Sequence, residues 1–106
     1  MGEQSDKPSV FSVETGILKT NKELDEIDVD EFVAAMKSLV KSGAAAPAVD
    51  ITNTSFLPSY HVNGIREVGE EAVRNGARLT VFAKSNVTKL LERMGLGASV
   101  RLKSVD

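Results

Sequence analysis

Three stretches of this chain repeat apolar residues at helical spacing, and short apolar runs of the kind that form strands lie between them. Val29, Phe32, Val33, Met36, Leu39 and Val40 fall on one face of a first helix. Asp28 precedes it as an N-cap, Glu31 sits at the capping-box position, and Gly43 suits its end. A second helix is predicted from about Ser59 to Asn75, with Val62, Ile65, Val68 or Gly69, Ala72 and Val73 inward and Gly76 ending it. Arg66, Glu67, Glu70, Glu71 and Arg74 make its wet face. A third helix, capped by Ser85 or Asn86, carries Val87, Leu90, Leu91 and Met94 and stops at Gly95.

The strands read differently. Residues 9–13 and 17–20 flank a turn at Glu14-Thr15-Gly16 and predict an antiparallel hairpin. Ala48–Ile51 and Leu79–Ala83 are short and nearly all apolar, as strands under helices are. Residues 99–103 alternate, which suits an edge strand with one face in water. Asn21 to Ile27 reads as a polar connection, and residues 1–8 as an unstructured lead-in to a domain over 9–106. The order is β-β-α-β-α-β-α-β. Helices between strands imply right-handed parallel crossovers. The expectation is therefore one α/β domain with a mixed, mostly parallel sheet of about five strands and three to four helices.

Composition narrows the chemistry. The chain has 106 residues, no cysteine and one histidine, and its net charge is -2. Thiol catalysis, thiolate metal sites and disulfides are excluded, and a multi-histidine metal site within one chain with them. The charge balance does not suit a polyanion, so nucleic acid is not an expected partner. No stretch approaches the ~20 apolar residues of a membrane span. The opening MGEQSDKPS lacks an apolar signal region, and Asp6 stands where myristoylation of Gly2 would want Ser or Thr. A cytoplasmic protein is expected.

Function is expected at the passage from strand to helix in Ala48–Gly64, AVDITNTSFLPSYHVNG, because such junctions put free N–H groups and side chains at the C-terminal edge of a sheet. Ser59 reads either as a phosphoacceptor or as the helix N-cap. Tyr60 is either a partner contact or a ring tucked against the sheet edge. His61 is a further candidate contact. As a Ser/His catalytic pair, Ser59 and His61 would point about 200° apart on a helix, which disfavours a hydrolase. Asp50 lacks a companion carboxylate nearby in sequence. Asp25, Glu26, Asp28, Asp30 and Glu31 read as a solvated helix start without calcium-loop spacing.

Several pieces, in order, resemble a STAS domain, the family of bacterial anti-sigma factor antagonists and of cytoplasmic domains of sulfate transporters. Glu23-Leu24-Asp25 precedes the first helix, Asp50 ends a strand, and Thr54-Ser55-Phe56-Leu57 leads to the second helix. Asn75-Gly76-Ala77-Arg78-Leu79 and Val87 to Leu96 are similar to the family's last helix-to-strand passage and last helix. The likeness covers roughly residues 10–103. The family's Asp-Ser-Ser-Gly motif is replaced: counting from Phe56, Pro58, Ser59, Tyr60 and His61 stand in its four places. In the sigma-regulating branch the second Ser is phosphorylated by a partner kinase. Tyr60 occupies that place, and a one-residue slip would give it to Ser59.

The resemblance implies a regulatory protein-binding module without a cofactor. It would dock an anti-sigma factor kinase through Pro58, Ser59, Tyr60, His61, Asn63, Arg66 and Glu67. An alternative is the STAS accessory subunit of an ABC-type lipid transport system, bound to its ATPase. Pairing of two copies is left open. Some members are thought to bind nucleotides, but no Gly-x-Gly-x-x-Gly or P-loop occurs here.

Overall fold

The computed structural model describes residues 11–106. The expected lead-in and the first two residues of the first expected strand, Ser9 and Val10, lie outside the described residues. Five strands form one sheet in the order β1-β2-β3-β4-β5. They are β1 (Phe11–Glu14), β2 (Ile17–Thr20), β3 (Ala48–Asp50), β4 (Thr80–Ala83) and β5 (Arg101–Ser104). Only β1 is antiparallel to its neighbour. Three α-helices connect the parallel strands: α1 (Val29–Lys41), α2 (Ser59–Arg74) and α3 (Ser85–Arg93). The α/β class and the mixed, mostly parallel sheet expected from the pattern are what the chain forms.

The β1–β2 turn is two residues long, Thr15 and Gly16, both at positive φ (49° and 81°). That is the primed turn whose twist matches a hairpin. Glycine takes it freely, whereas a β-branched threonine is strained there.

Three crossovers step the same way across the sheet, and right-handed crossovers that do so put all their helices on one face. The register confirms a sided sheet. Leu18, Val49, Val81 and Leu102 lie side by side on four strands and pack into one cluster with Phe32, Met36, Ile65, Val68 and Leu91 from the helices. The opposite face carries Lys19, Asp50, Phe82 and Lys103 and is only partly covered.

Helix α2 is wedged at two glycines. A Cβ on Gly64 would lie 2.6 Å from Val33 Cγ2 of α1. A Cβ on Gly69 would lie 2.5 Å from Val100 Cγ1 and 2.9 Å from the Ser99 carbonyl oxygen. Only a residue without a Cβ permits these approaches.

Several expectations need correction. The connection before α1 is not simply polar: Leu24 and Ile27 are fully buried around a 3-10 turn at Leu24–Glu26. Val73, Leu90 and Met94 are exposed rather than inward, because α2 and α3 meet the body along Ala72 and along Val87, Thr88 and Leu91. Thr88 can be buried because its hydroxyl bonds Ser104 Oγ (2.7 Å) and donates to the Ser85 carbonyl (3.0 Å). Neither Ser59 nor Ser85 is a cap: each is the first helical residue, after Pro58 and Lys84. The N-cap of α1 is Asp28 as expected, its Oδ2 accepting from the Glu31 N–H at 3.1 Å.

Candidate functional site

The chain leaves β3 at Asp50 and turns at once. Asp50 Oδ1 accepts from the Thr52 N–H (2.9 Å) and the Thr52 hydroxyl (2.6 Å), an Asx-type turn that occupies one carboxylate oxygen. Asn53 Nδ2 then donates to the Thr20 carbonyl at 3.0 Å. Ser55 donates twice to one carboxylate, from its N–H to Glu23 Oε1 (2.9 Å) and from its hydroxyl to Glu23 Oε2 (2.8 Å). The loop between β3 and α2 is thus pinned to the segment before α1, 32 residues away in sequence. The Ser55 backbone N–H above all, then its hydroxyl, hold the Glu23 carboxyl below the usual carboxylate range.

Past this pin the chain turns outward. Phe56 is 60% exposed, and Leu57 and Pro58 are half-buried. Pro58 takes the N-cap position with extended backbone (φ -67°, ψ 138°). Its carbonyl accepts the first helical bond, from the Val62 N–H at 3.1 Å. Ser59 and Tyr60 open the helix facing solvent, Tyr60 78% exposed. No side chain caps this helix start.

His61 faces the other way. It is buried, its ring 5.7 Å from that of Phe32, and Nε2 lies 2.6 Å from the Ile27 carbonyl oxygen. A carbonyl only accepts, so Nε2 carries the proton and donates. Nδ1 is buried without a partner. His61 is therefore a strut between α2 and the start of α1, not the surface contact expected from sequence. Its burial beside an exposed Ser59 leaves no Ser/His pair converging on one point.

The remaining expected contact residues divide. Asn63 is exposed. Arg66 bonds Asn63 Oδ1 (3.1 Å) and, through Nη2, the Met94 carbonyl (2.6 Å), so it clamps α2 to the end of α3. Glu67 pairs with Lys37 of α1 at 3.1 Å on the surface, a contact of small energetic weight. The residues that sequence reasoning missed are Phe56, exposed at the rim, and Glu23, which holds the loop. The signal for Phe56 was an aromatic flanked by a serine and a proline-broken run. Glu23 had no local signal, since its partner is distant in sequence.

The start of α3 shares this sheet edge and is held in a related way. Asp106 Oδ1 accepts from the Ser85 N–H at 3.1 Å, and the Val105 N–H donates to the Ala83 carbonyl (2.8 Å). The Ser85 backbone N–H holds the Asp106 carboxyl low, with help from the Ser85 side chain. Among the described residues no group of three or more His, Asp or Glu side chains is arranged to hold a metal ion. Nor is any described helix long and apolar enough to cross a membrane.

No family model matches this chain, and no curated protein does. Among solved structures, the NMR structure of the protein TM1081 is similar, with a TM-score of 0.70 and 9% sequence identity over 99% of this chain and 87% of that one. At that identity the likeness shows the fold alone.

Proposed function

We propose that this protein is a regulatory protein-binding module of the STAS type, acting through the edge formed by Phe56 to Asn63. The observation that carries this reading is the pair Phe56 and Tyr60. Two aromatic side chains stand in solvent, 60% and 78% exposed, one in the loop that Glu23 pins at Ser55 and one in the first turn of a helix wedged by glycines further along. Rigid exposed aromatics give large contact area at small entropic cost and are enriched where interfaces carry energy. The partner in this reading is an anti-sigma factor of the kinase type, sequestered by the bound module so that its sigma factor is freed.

Ser59 is the candidate phosphoacceptor. It is exposed at the first position of α2, where a phosphate would meet free N–H groups and the positive end of the helix dipole. The added charge would oppose an acidic or apolar partner surface. Tyr60, in the family's phosphoacceptor place, is the larger contact and not a substrate for a Ser/Thr kinase. The alternative, an accessory subunit bound to a transporter ATPase, uses the same edge without phosphorylation.

Calorimetry of the full chain against anti-sigma kinases encoded in the same genome tests the reading. Binding should fall roughly tenfold or more in Tyr60→Ala, and Ser59→Asp should weaken it likewise. Unchanged affinity in Tyr60→Ala would remove the edge from the interface. Binding to a transporter ATPase that ignores Ser59→Asp would favour the alternative.

A further inference from the structure

The loop that presents Phe56 carries three hydroxyl side chains, Thr52, Thr54 and Ser55, and Ser59 follows at the helix start. The Thr52 hydroxyl is engaged, donating to Asp50 Oδ1, and Thr54 is fully buried. Ser55 and Ser59 are exposed, in unlike settings. Ser59 is already helical, whereas Ser55 lies in the run 54–58, which is neither helix nor strand. Exposed irregular backbone is what a modifying enzyme can seat in its cleft.

Ser55 also comes with a proton acceptor. Its hydroxyl donates to Glu23 Oε2 at 2.8 Å, and its N–H to Glu23 Oε1 at 2.9 Å. A base within hydrogen-bond reach of a hydroxyl is what transfer of a group to that hydroxyl needs. Ser59 has no such carboxylate among the described residues.

The two serines differ again in what a phosphate does to the fold. On Ser59 it enters water at the positive end of α2 and breaks no bond. On Ser55 it removes the hydroxyl donor to Glu23 and sets roughly -1.5 to -2 charge against that carboxylate. The cation that acts on Glu23 is Lys84, more weakly than the Ser55 donors do. One lysine does not neutralise a carboxylate and a phosphate together. The pin therefore opens next to Phe56, while the Asn53 bond to the Thr20 carbonyl, earlier in the loop, is untouched.

We propose that Ser55 is a second phosphorylation site of the docking edge, one that acts by releasing the Phe56 loop rather than by adding charge at the helix start. This rests on the docking reading above and adds a regulation to it. The phosphoryl donor is a nucleoside triphosphate held by the kinase partner. A bond forms from Ser55 Oγ to the γ-phosphorus, the bond from that phosphorus to its bridging oxygen breaks, and the nucleoside diphosphate leaves. The hydroxyl proton passes to Glu23 Oε2, which already accepts it, and from there to water.

The full chain and its Ser59→Ala variant are incubated with an anti-sigma kinase that binds them and with magnesium ATP, and the phosphate is located by mass spectrometry. Both should carry it on Ser55. The full chain made with phosphoserine at position 55 should exchange the Phe56 and Leu57 amides roughly tenfold faster than the parent, with Val68 and Ala72 unaltered. It should bind the kinase roughly tenfold more weakly. Ser55→Ala, which loses the hydroxyl bond and gains no charge, should fall between the two. A kinase that binds the chain and leaves Ser55 unmodified would overturn the proposal. So would a phosphate on Ser55 that leaves exchange at Phe56 as it is in the parent. Failure of the docking reading looks different: Tyr60→Ala then binds as the parent does, whatever Ser55 carries. A chain that no such kinase binds would fell both.

Discussion

Helix α2 has two halves in unlike surroundings. From Gly64 to Ala72 it is pressed between α1 and the approach to β5, so closely that two positions admit no Cβ. Its first two residues face water, and the loop before them is held by a few polar bonds from distant parts of the chain. The packed half fixes where the helix lies. The open half carries side chains that the packing of the fold does not require. Substitutions in the two halves should therefore separate stability from binding.

The packed half should give the largest losses. Gly69→Ala places a methyl 2.9 Å from a backbone carbonyl that no rotamer change can move. The helix propensity gained by replacing glycine is at most about 1 kcal/mol, and overpacking of this kind costs about 1–3 kcal/mol or more. Urea denaturation should show a net loss of stability. His61→Phe comes next: it keeps an aromatic ring against Phe32 but removes the donor to the Ile27 carbonyl. An acceptor left unsatisfied in the interior costs about 1–3 kcal/mol, and the loss should appear with Phe56 and Tyr60 still in place. An unchanged midpoint in either variant would break the contrast between the halves.

The start of α1 stands between these extremes, because its cap is a single local bond. Asp28→Ala should cost about 1 kcal/mol, measured in the same way. This is also where the amino-acid sequence was most legible. The Asp28 cap spans three residues, and the apolar face of α1 repeats over three turns, so both are written locally. Helix α2 begins at Ser59 as expected, but the caps of α2 and α3 were misread, for the opposite reason. The residues that satisfy them or the loop before them are Glu23 and Asp106, 32 and 21 residues away from their partners, Ser55 and Ser85. Leu24 and Ile27 were missed because two apolar residues in a polar stretch show no period. His61 was misplaced because the direction of a residue in the first turn depends on which neighbour, here Phe32, the helix lies against. The order of elements and the sheet class were readable because strand and helix periods alternate cleanly along the chain.

The pin on the open half should respond to pH. Glu23 and Asp106 both have carboxyls held below their usual range by donors they accept from. A carboxylate whose folded-state pKa is lowered stabilises the fold above its unfolded value, and that contribution is lost as pH falls through the folded value. Stability should thus be flat near neutrality and decline in acid below the ordinary carboxylate range. Glu23→Gln should remove part of that decline and speed amide exchange at Ser55 and Phe56, while leaving exchange at Val68 and Ala72 unaltered. Faster exchange throughout α2 would mean that the loop and the packed half open together.

Tyr60→Ala should have the smallest effect on the fold and the largest on binding. The side chain is 78% exposed, and it belongs to none of the hydrogen bonds or packed clusters around it. Surface changes of that kind usually alter stability by no more than about 0.5 kcal/mol. An aromatic anchor at the centre of an interface, by contrast, costs about 2 kcal/mol or more when truncated. A variant with the parent's denaturation midpoint and a roughly thirtyfold weaker complex would show that the open half is held for recognition alone. A variant that lost stability instead would show the ring to be packed in solution, and the division of α2 into a structural and a functional half would have to move.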